Sequence, residues 1–423
     1  MRPSQALHLT SALLVVVCAL SWAGENAQSE VSPAEQKIAQ ARRAIAANPN
    51  DYQAHNALAL ALARRARETG DPAFYDHAEA AIRDASRLMP DNLDSEKLSI
   101  WVLLGKHDFA KALDRARALN KKVPDDVLVY GFITDACVEL GYYEEAEKAA
   151  QWMLDLRAGN VPGLTRAAYL RELFGDIEGA LEFMHMSYQR TPPQETEDRA
   201  WMLNHIGHLH LMRGKVEEAE AAIQQALAVY PAYHYALAQL AKVRTAQQRY
   251  SEAVSLLKQL YGLAPYPENL FELAKTLEKA GRAKDARKTF AEFEKKATAE
   301  MHNVDNANRE LIFYYADHAR KPSEALRVAR LEAARRKDVY TLDAYSWALF
   351  ANGAYGEARK QIEKALKVGV RDAVLFYHAG AIALEMGDRT AARGYLRNSV
   401  ELNPFSEVSG AARKLLVRLK RNR

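Results

Sequence analysis

Apolar residues recur every three or four positions along most of this chain, in runs of about fourteen residues. "GYYEEAEKAAQWML", "GDIEGALEFMHMSY", "GKVEEAEAAIQQAL", "GAYGEARKQIEKAL" and "GDRTAARGYLRNSV" show the form. A glycine opens each run, an alanine follows five residues later, and the remainder places its apolar side chains on one face of a helix. No long apolar/polar alternation marks a strand. The pattern therefore predicts an all-α protein made of many short amphipathic helices.

The alanine keeps time along the chain at Ala78, Ala112, Ala146, Ala180, Ala219, Ala253, Ala286, Ala325, Ala358 and Ala392. Prolines keep the same beat twelve residues further on, at Pro90, Pro124, Pro192, Pro231, Pro265 and Pro404. A spacing of about 34 residues is the length of one helical hairpin, and ten such units are predicted. Glycine ends the first helix because it enters the left-handed region at little cost, and proline stops the second. The alanine is small enough for the two helices to approach closely. One hairpin cannot bury its apolar stripe alone, so neighbours must stack into a solenoid.

This pattern resembles the tetratricopeptide repeat over roughly residues 51–404, with "GYYEEA" and "GAYGEA" matching its turn motif well. Gln248 replaces the turn glycine before "RYSEAV", and "HARKPSEAL" makes its turn over 318–322, yet neither breaks the period. The resemblance implies a right-handed superhelix whose first helices line a concave groove. The reading divides the chain into a signal segment (1–23), a lead-in half-hairpin (24–50), units one to four (51–192), five to seven (193–298) and eight to ten (299–404), and a capping helix with a basic tail (405–423). Val408, Leu415, Leu416 and Leu419 form the cap's apolar stripe. Excess residues around 191–199 and 295–306 mark expected joints between subarrays, and the insertion near residue 70 is a third irregularity.

Three histidines crowd into "WMLNHIGHLHLMRG", which raises the question of a metal. In the family's register, first-helix positions two, five, six, nine, twelve and thirteen face the groove. That puts Trp201, Asn204, His205 and His208 on the groove and turns His210 toward the packed side. Two histidines fall short of a zinc site, and among the neighbouring groove positions Glu172 is the good additional ligand. The same positions in other units give Trp101, Phe132, Tyr169, Tyr235, Phe271, Tyr314, Tyr340, Asp343, Trp347, Tyr377 and His378. An aromatic-lined groove of this kind suits a protein or extended-peptide partner. The alternative is a small ligand, a metal or a glycan, bound near His205 and His208. No metal or other cofactor is expected.

Composition narrows the picture. With 58 Lys and Arg against 54 Asp and Glu, the formal charge of +4 offers no concentrated basic face for nucleic acid. Residues 1–23, "MRPSQALHLTSALLVVVCALSWA", read as an export signal ending in small residues. An uncleaved anchor or lipidation at Cys18 are the other readings, although Val17 is a poor neighbour for the latter. Membrane contact is expected only through this segment. Cleavage would leave Cys137 as the single cysteine, so packing rather than disulfides must hold the protein together. Metalloprotease, nucleophile-elbow, dinucleotide and phosphate-loop spacings are all absent, and no stretch outside the repeats is long enough for a catalytic domain. The expectation is an exported, non-enzymatic scaffold, periplasmic or secreted, within an envelope-assembly, secretion or export complex.

Overall fold

The computed structural model describes residues 32–421, so the predicted signal segment, with Arg2 and Cys18, lies outside the described residues. Among those described, the chain is helical throughout and contains no strand. After α1 (Pro33–Ala47) come ten antiparallel hairpins. The first five pair α2 (Tyr52–Thr69) with α3 (Ala73–Leu88), α4 (Leu93–Gly105) with α5 (Phe109–Lys122), α6 (Val127–Leu140) with α7 (Tyr143–Leu156), α8 (Val161–Leu173) with α9 (Ile177–Arg190), and α10 (Thr196–Met212) with α11 (Val216–Val229). The second five pair α12 (His234–Ala246) with α13 (Tyr250–Leu263), α14 (Pro267–Lys279) with α15 (Ala283–Glu300), α16 (Asn308–Phe313) with α17 (Pro322–Arg335), α18 (Val339–Ala351) with α19 (Tyr355–Val368), and α20 (Ala373–Glu385) with α21 (Arg389–Leu402). The closing helix is α22 (Ser409–Arg421).

The repeated residues do what their chemistry suggests. All ten beat alanines are at most 1% exposed, at the closest approach of the two helices in each hairpin. Asp51, Asn92, Asp126, Asn160, Asp338 and Asp372 cap first helices by accepting backbone N–H bonds. The extra residues lengthen helices: α2 and α15 have 18 residues and α10 has 17. A five-residue π-turn, Tyr314–His318, carries α16 into its turn. Along α22, Ala412 and Leu419 are buried against α20 and α21 and Leu415 and Leu416 partly so, while Val408 precedes the helix.

Every hairpin turns through one residue in the left-handed region: Gly70, His107, Gly141, Gly175, Gly214, Gln248, Gly281, Arg320, Gly353 and Gly387. In the first five units this residue also meets a partner from far along the chain. A methyl group on Gly70 would lie 2.9 Å from the Ala264 Cβ. His107 Nδ1 is 2.8 Å from Asp305. A methyl on Gly141 would lie 2.5 Å from the Lys337 carbonyl oxygen, one on Gly175 2.6 Å from that of Gly369, and one on Gly214 3.0 Å from Pro404. The partners sit in the loops that follow α13, α15, α17, α19 and α21. Each turn of units one to five is therefore seated on the loop that follows the unit five places later.

The consequence is a superhelix of five units per turn, wound into two coils that touch along a continuous seam. Polar contacts reinforce it. The Val339 N–H donates to the Tyr143 hydroxyl at 2.8 Å, the Asn403 amide donates to the Leu211 carbonyl at 2.9 Å, and Arg336 pairs with Glu139. First helices stack on first helices, as α2 on α4, α4 on α6 and α10 on α12, so they form the inner wall. Five helices at the usual spacing of about 8–10 Å form a ring of radius ~8 Å, and subtracting a helix radius of about 5–6 Å leaves a bore only ~5 Å across. The expected concave groove is thus a narrow bore.

The seam makes a paired prediction. Gly175→Ala and Gly387→Ala both force a Cβ into the left-handed region, at about 1–2 kcal/mol each. Nothing lies within 4 Å of the Gly387 position, whereas Gly175 faces Gly369. Gly175→Ala is expected to lose a further ~1–3 kcal/mol from this crowding. Urea denaturation measures both variants, and equal losses would contradict the seam.

Candidate functional site

The cluster singled out by its histidines forms on the inner wall, where α8 faces α10. Tyr169 and Glu172 lie one helical turn apart on α8, and Trp201, His205 and His208 share the facing side of α10. Glu172 is 1% exposed and faces both imidazoles: its carboxylate lies 2.8 Å from His205 Nε2 and 3.2 Å from His208 Nε2. Burial pushes this carboxyl group up, but His205 and His208 outweigh burial and hold it well below the usual carboxylate range. The His205 ring stacks on Trp201 at 5.4 Å and meets Tyr169 edge-on at 6.2 Å. His210 points away, with its Nδ1 buried and without a partner. Among the described residues, no group of three or more His, Cys, Asp or Glu is arranged to hold a metal ion.

Other residues of the predicted row divide into two sets. Trp101, Tyr340 and Tyr377 are half-buried, and Tyr235 keeps 44% of its surface open. The Tyr235 hydroxyl is nevertheless pushed up, first by the surrounding protein and then by Glu197 and Asp305, against the pull of Arg67. That combination describes a ring facing solvent inside an enclosure. Tyr169 and Tyr340, on helices of different coils, are both raised well above the ordinary tyrosine value by burial, and each also feels a carboxylate of the other coil, Tyr169 that of Asp338 and Tyr340 that of Glu172.

The second set is packed between helices. Phe132 lies in the core with Ile133 and Ala136. Phe271 is 3% exposed against Phe290 and Phe293, because its position meets the second helix of its own hairpin. Tyr314 starts the π-turn, which rotates its ring onto Phe290 and its hydroxyl to Glu294 at 3.1 Å. Trp347 stacks on His378 and donates to Asp317 at 2.9 Å, while Asp343 sits 2.8 Å from His378 Nδ1. Asn204 is buried, its Oδ1 lacking a partner.

Charged residues that the aromatic reading did not single out link units along the inner wall and across the seam. Arg67 bridges Glu197 and Asp198, Arg336 bridges Glu139 and Asp338, and Lys275 bridges Glu272 and Glu407. Each has a partner in a different unit or coil, Glu197 for Arg67, Glu139 for Arg336 and Glu407 for Lys275, which no local spacing announces. The wall is zwitterionic rather than basic.

Paired helices repeated ten times around an inner wall make the described residues an α-solenoid. Residues 206–269 match the tetratricopeptide repeat family, and the same kind of hairpin recurs through the described residues. No curated protein matches its sequence. Among solved structures, PilW, a type IV pilus biogenesis factor, is 15% identical over 49% of this chain and 92% of its own, with a TM-score of 0.41. Human IFIT1, solved as a dimer with PPP-AAAA, is 12% identical over 88% and 96%, at 0.49. Yeast Tom70 is 14% identical over 86% and 96%, at 0.38. At such values none of these proteins' roles passes to this chain.

Glu172→Gln tests the cluster. Losing the charge that faces two half-buried imidazoles is expected to destabilise the protein by roughly 1–3 kcal/mol at pH 7. The folded carboxyl group titrates below its unfolded value of 4.5, so its stabilisation is complete above that pH and fades as the pH falls further. Denaturation of both proteins at pH 7 and pH 3.5 should show the gap narrowing at the lower pH. A constant gap would contradict the assignment.

Proposed function

We propose that this protein is a scaffold that binds an extended polypeptide segment along its inner wall, anchored by Tyr169, Trp201, His205 and His208. The observation that carries this reading is the half-exposed ring cluster held in place by buried Glu172, which offers aromatic area at little entropic cost. The bore selects the ligand class. A helix of about 10–12 Å diameter does not fit a ~5 Å opening, whereas an extended backbone is slim enough to lie along the wall. Tyr235 and Tyr340 extend the wall, and the paired charges supply polar contacts for a peptide backbone.

Photo-crosslinking from Tyr235, in the bore, is compared with crosslinking from exposed Lys288 on α15. Adducts with one recurrent extended segment are expected from Tyr235 alone. A Trp201→Ala, His205→Ala variant should weaken that segment's binding tenfold or more, about 1.4 kcal/mol or above. Crosslinks only from Lys288, or unchanged affinity, would overturn the reading.

The signal-like segment 1–23 supports placing the scaffold outside the cytoplasm, in an envelope-assembly, secretion or export complex. No described helix is long and apolar enough to cross a membrane. Intact-mass analysis of protein from its host should find the chain beginning just after Ala23. A retained Met1 would contradict processing there.

A further inference from the structure

The seam leaves two edges of the molecule uncovered. It joins the turns of units one to five to the loops of units six to ten. Loops of the first coil, chiefly those after units one to three, and turns of the second coil are left over as two rims. The rims are touched at their far ends, where Lys37 and Arg64 meet Glu195 on the loop after unit four and Lys279 meets Glu407 ahead of α22; the loops after units one to three and the turns of units eight to ten lie beyond these contacts.

Residues at equivalent repeat positions differ sharply in exposure between the seam and the free loop rim. Ala264 stands eleven residues after Ala253 and is 0% exposed beneath Gly70; Met89, eleven after Ala78, is 43% exposed. Val339 stands nineteen residues before Ala358 and is 1% exposed at the Tyr143 contact; Leu93, nineteen before Ala112, is 39% exposed. Leu128 adds 46% exposure in the next unit. The first coil therefore carries apolar side chains where the second coil has them covered by a turn.

The opposite rim matches in shape and charge. Nothing lies within 4 Å of the sites on Gly281, Gly353 and Gly387, so these turns are as bare as those that fill the seam. Lys284 and Arg320 stand exposed beside them without an ion-pair partner among the described residues. On the loop rim, Asp91 and Asp125 are likewise exposed and outside any ion pair among the described residues. Within the seam, His107 with Asp305 and Arg336 with Glu139 already show polar side chains pairing turn to loop.

We propose that the free rims bind each other in trans: the turn rim of one molecule seats on the loop rim of a second copy, repeating the internal seam between chains. The contact is heterologous, so it leaves a free rim at each end and grows head to tail.

Sedimentation velocity over a concentration series tests this with two full-length variants. Leu93→Asp with Leu128→Asp blocks the loop rim, and Lys284→Glu with Arg320→Asn blocks the turn rim. The wild type should gain mass with concentration beyond a dimer, and each variant alone should remain monomeric. Their equimolar mixture should form dimers and stop, since each supplies one intact rim. A wild type that stays monomeric, or a single variant that still associates like the wild type, would overturn the proposal. Circular dichroism checks that both variants fold. Should either fail, Asp125→Cys and Lys284→Cys proteins are mixed with a short bis-maleimide, and absence of the mixed dimer would overturn it instead.

Discussion

One left-handed residue per hairpin governs this structure. It reverses the chain between two helices, and in the first coil it is also the point at which a distant loop makes contact. Gly141 and Gly175 meet backbone carbonyl groups at distances that leave no room for a side chain. Helix packing inside each unit sets the stacking angle, but the seam closes the spiral at five units per turn. Without that closure the same hairpins would form an open trough.

Closure changes what the inner wall can be. In an open groove, charged side chains would stand in water and their pairing would be worth little. Here Arg67, Arg336 and Lys275 are drawn into an enclosure where an unpaired charge is costly, and each is met by carboxylates from other units. Glu172 is the extreme case, buried but held ionised by two histidines. The two imidazoles are oriented by that carboxylate, and Trp201 and Tyr169 pack against His205. Order at the proposed binding wall and closure of the superhelix are therefore one arrangement.

Much of the fold was legible in the residues, because a hairpin is a local object. The beat of the alanines located all ten units, and the two departures obey the same geometry: Gln248 and Arg320 adopt the left-handed conformation that glycine takes elsewhere. The convergence of His205 and His208 and the divergence of His210 also followed from helical spacing. The seam was not legible. Its partners lie far apart in the chain, and glycines that touch the other coil look the same in sequence as Gly353 and Gly387, which touch nothing. The inner row was legible in part. Helical register identifies the side of a helix, but it does not reveal that Phe271 will pack within its own hairpin or that a π-turn will rotate Tyr314.

The five-unit closure is tested most directly by joining the coils across the seam. His107→Cys and Asp305→Cys replace a pair whose side chains lie 2.8 Å apart, while the remaining described cysteine, Cys137, is buried. A short bis-maleimide should link the two new thiols within one molecule rapidly and in high yield, giving a product of monomeric mass with altered gel mobility. If both thiols react readily with a monofunctional maleimide yet no internal link forms, the coils do not touch at this register and the account of the closed bore is wrong.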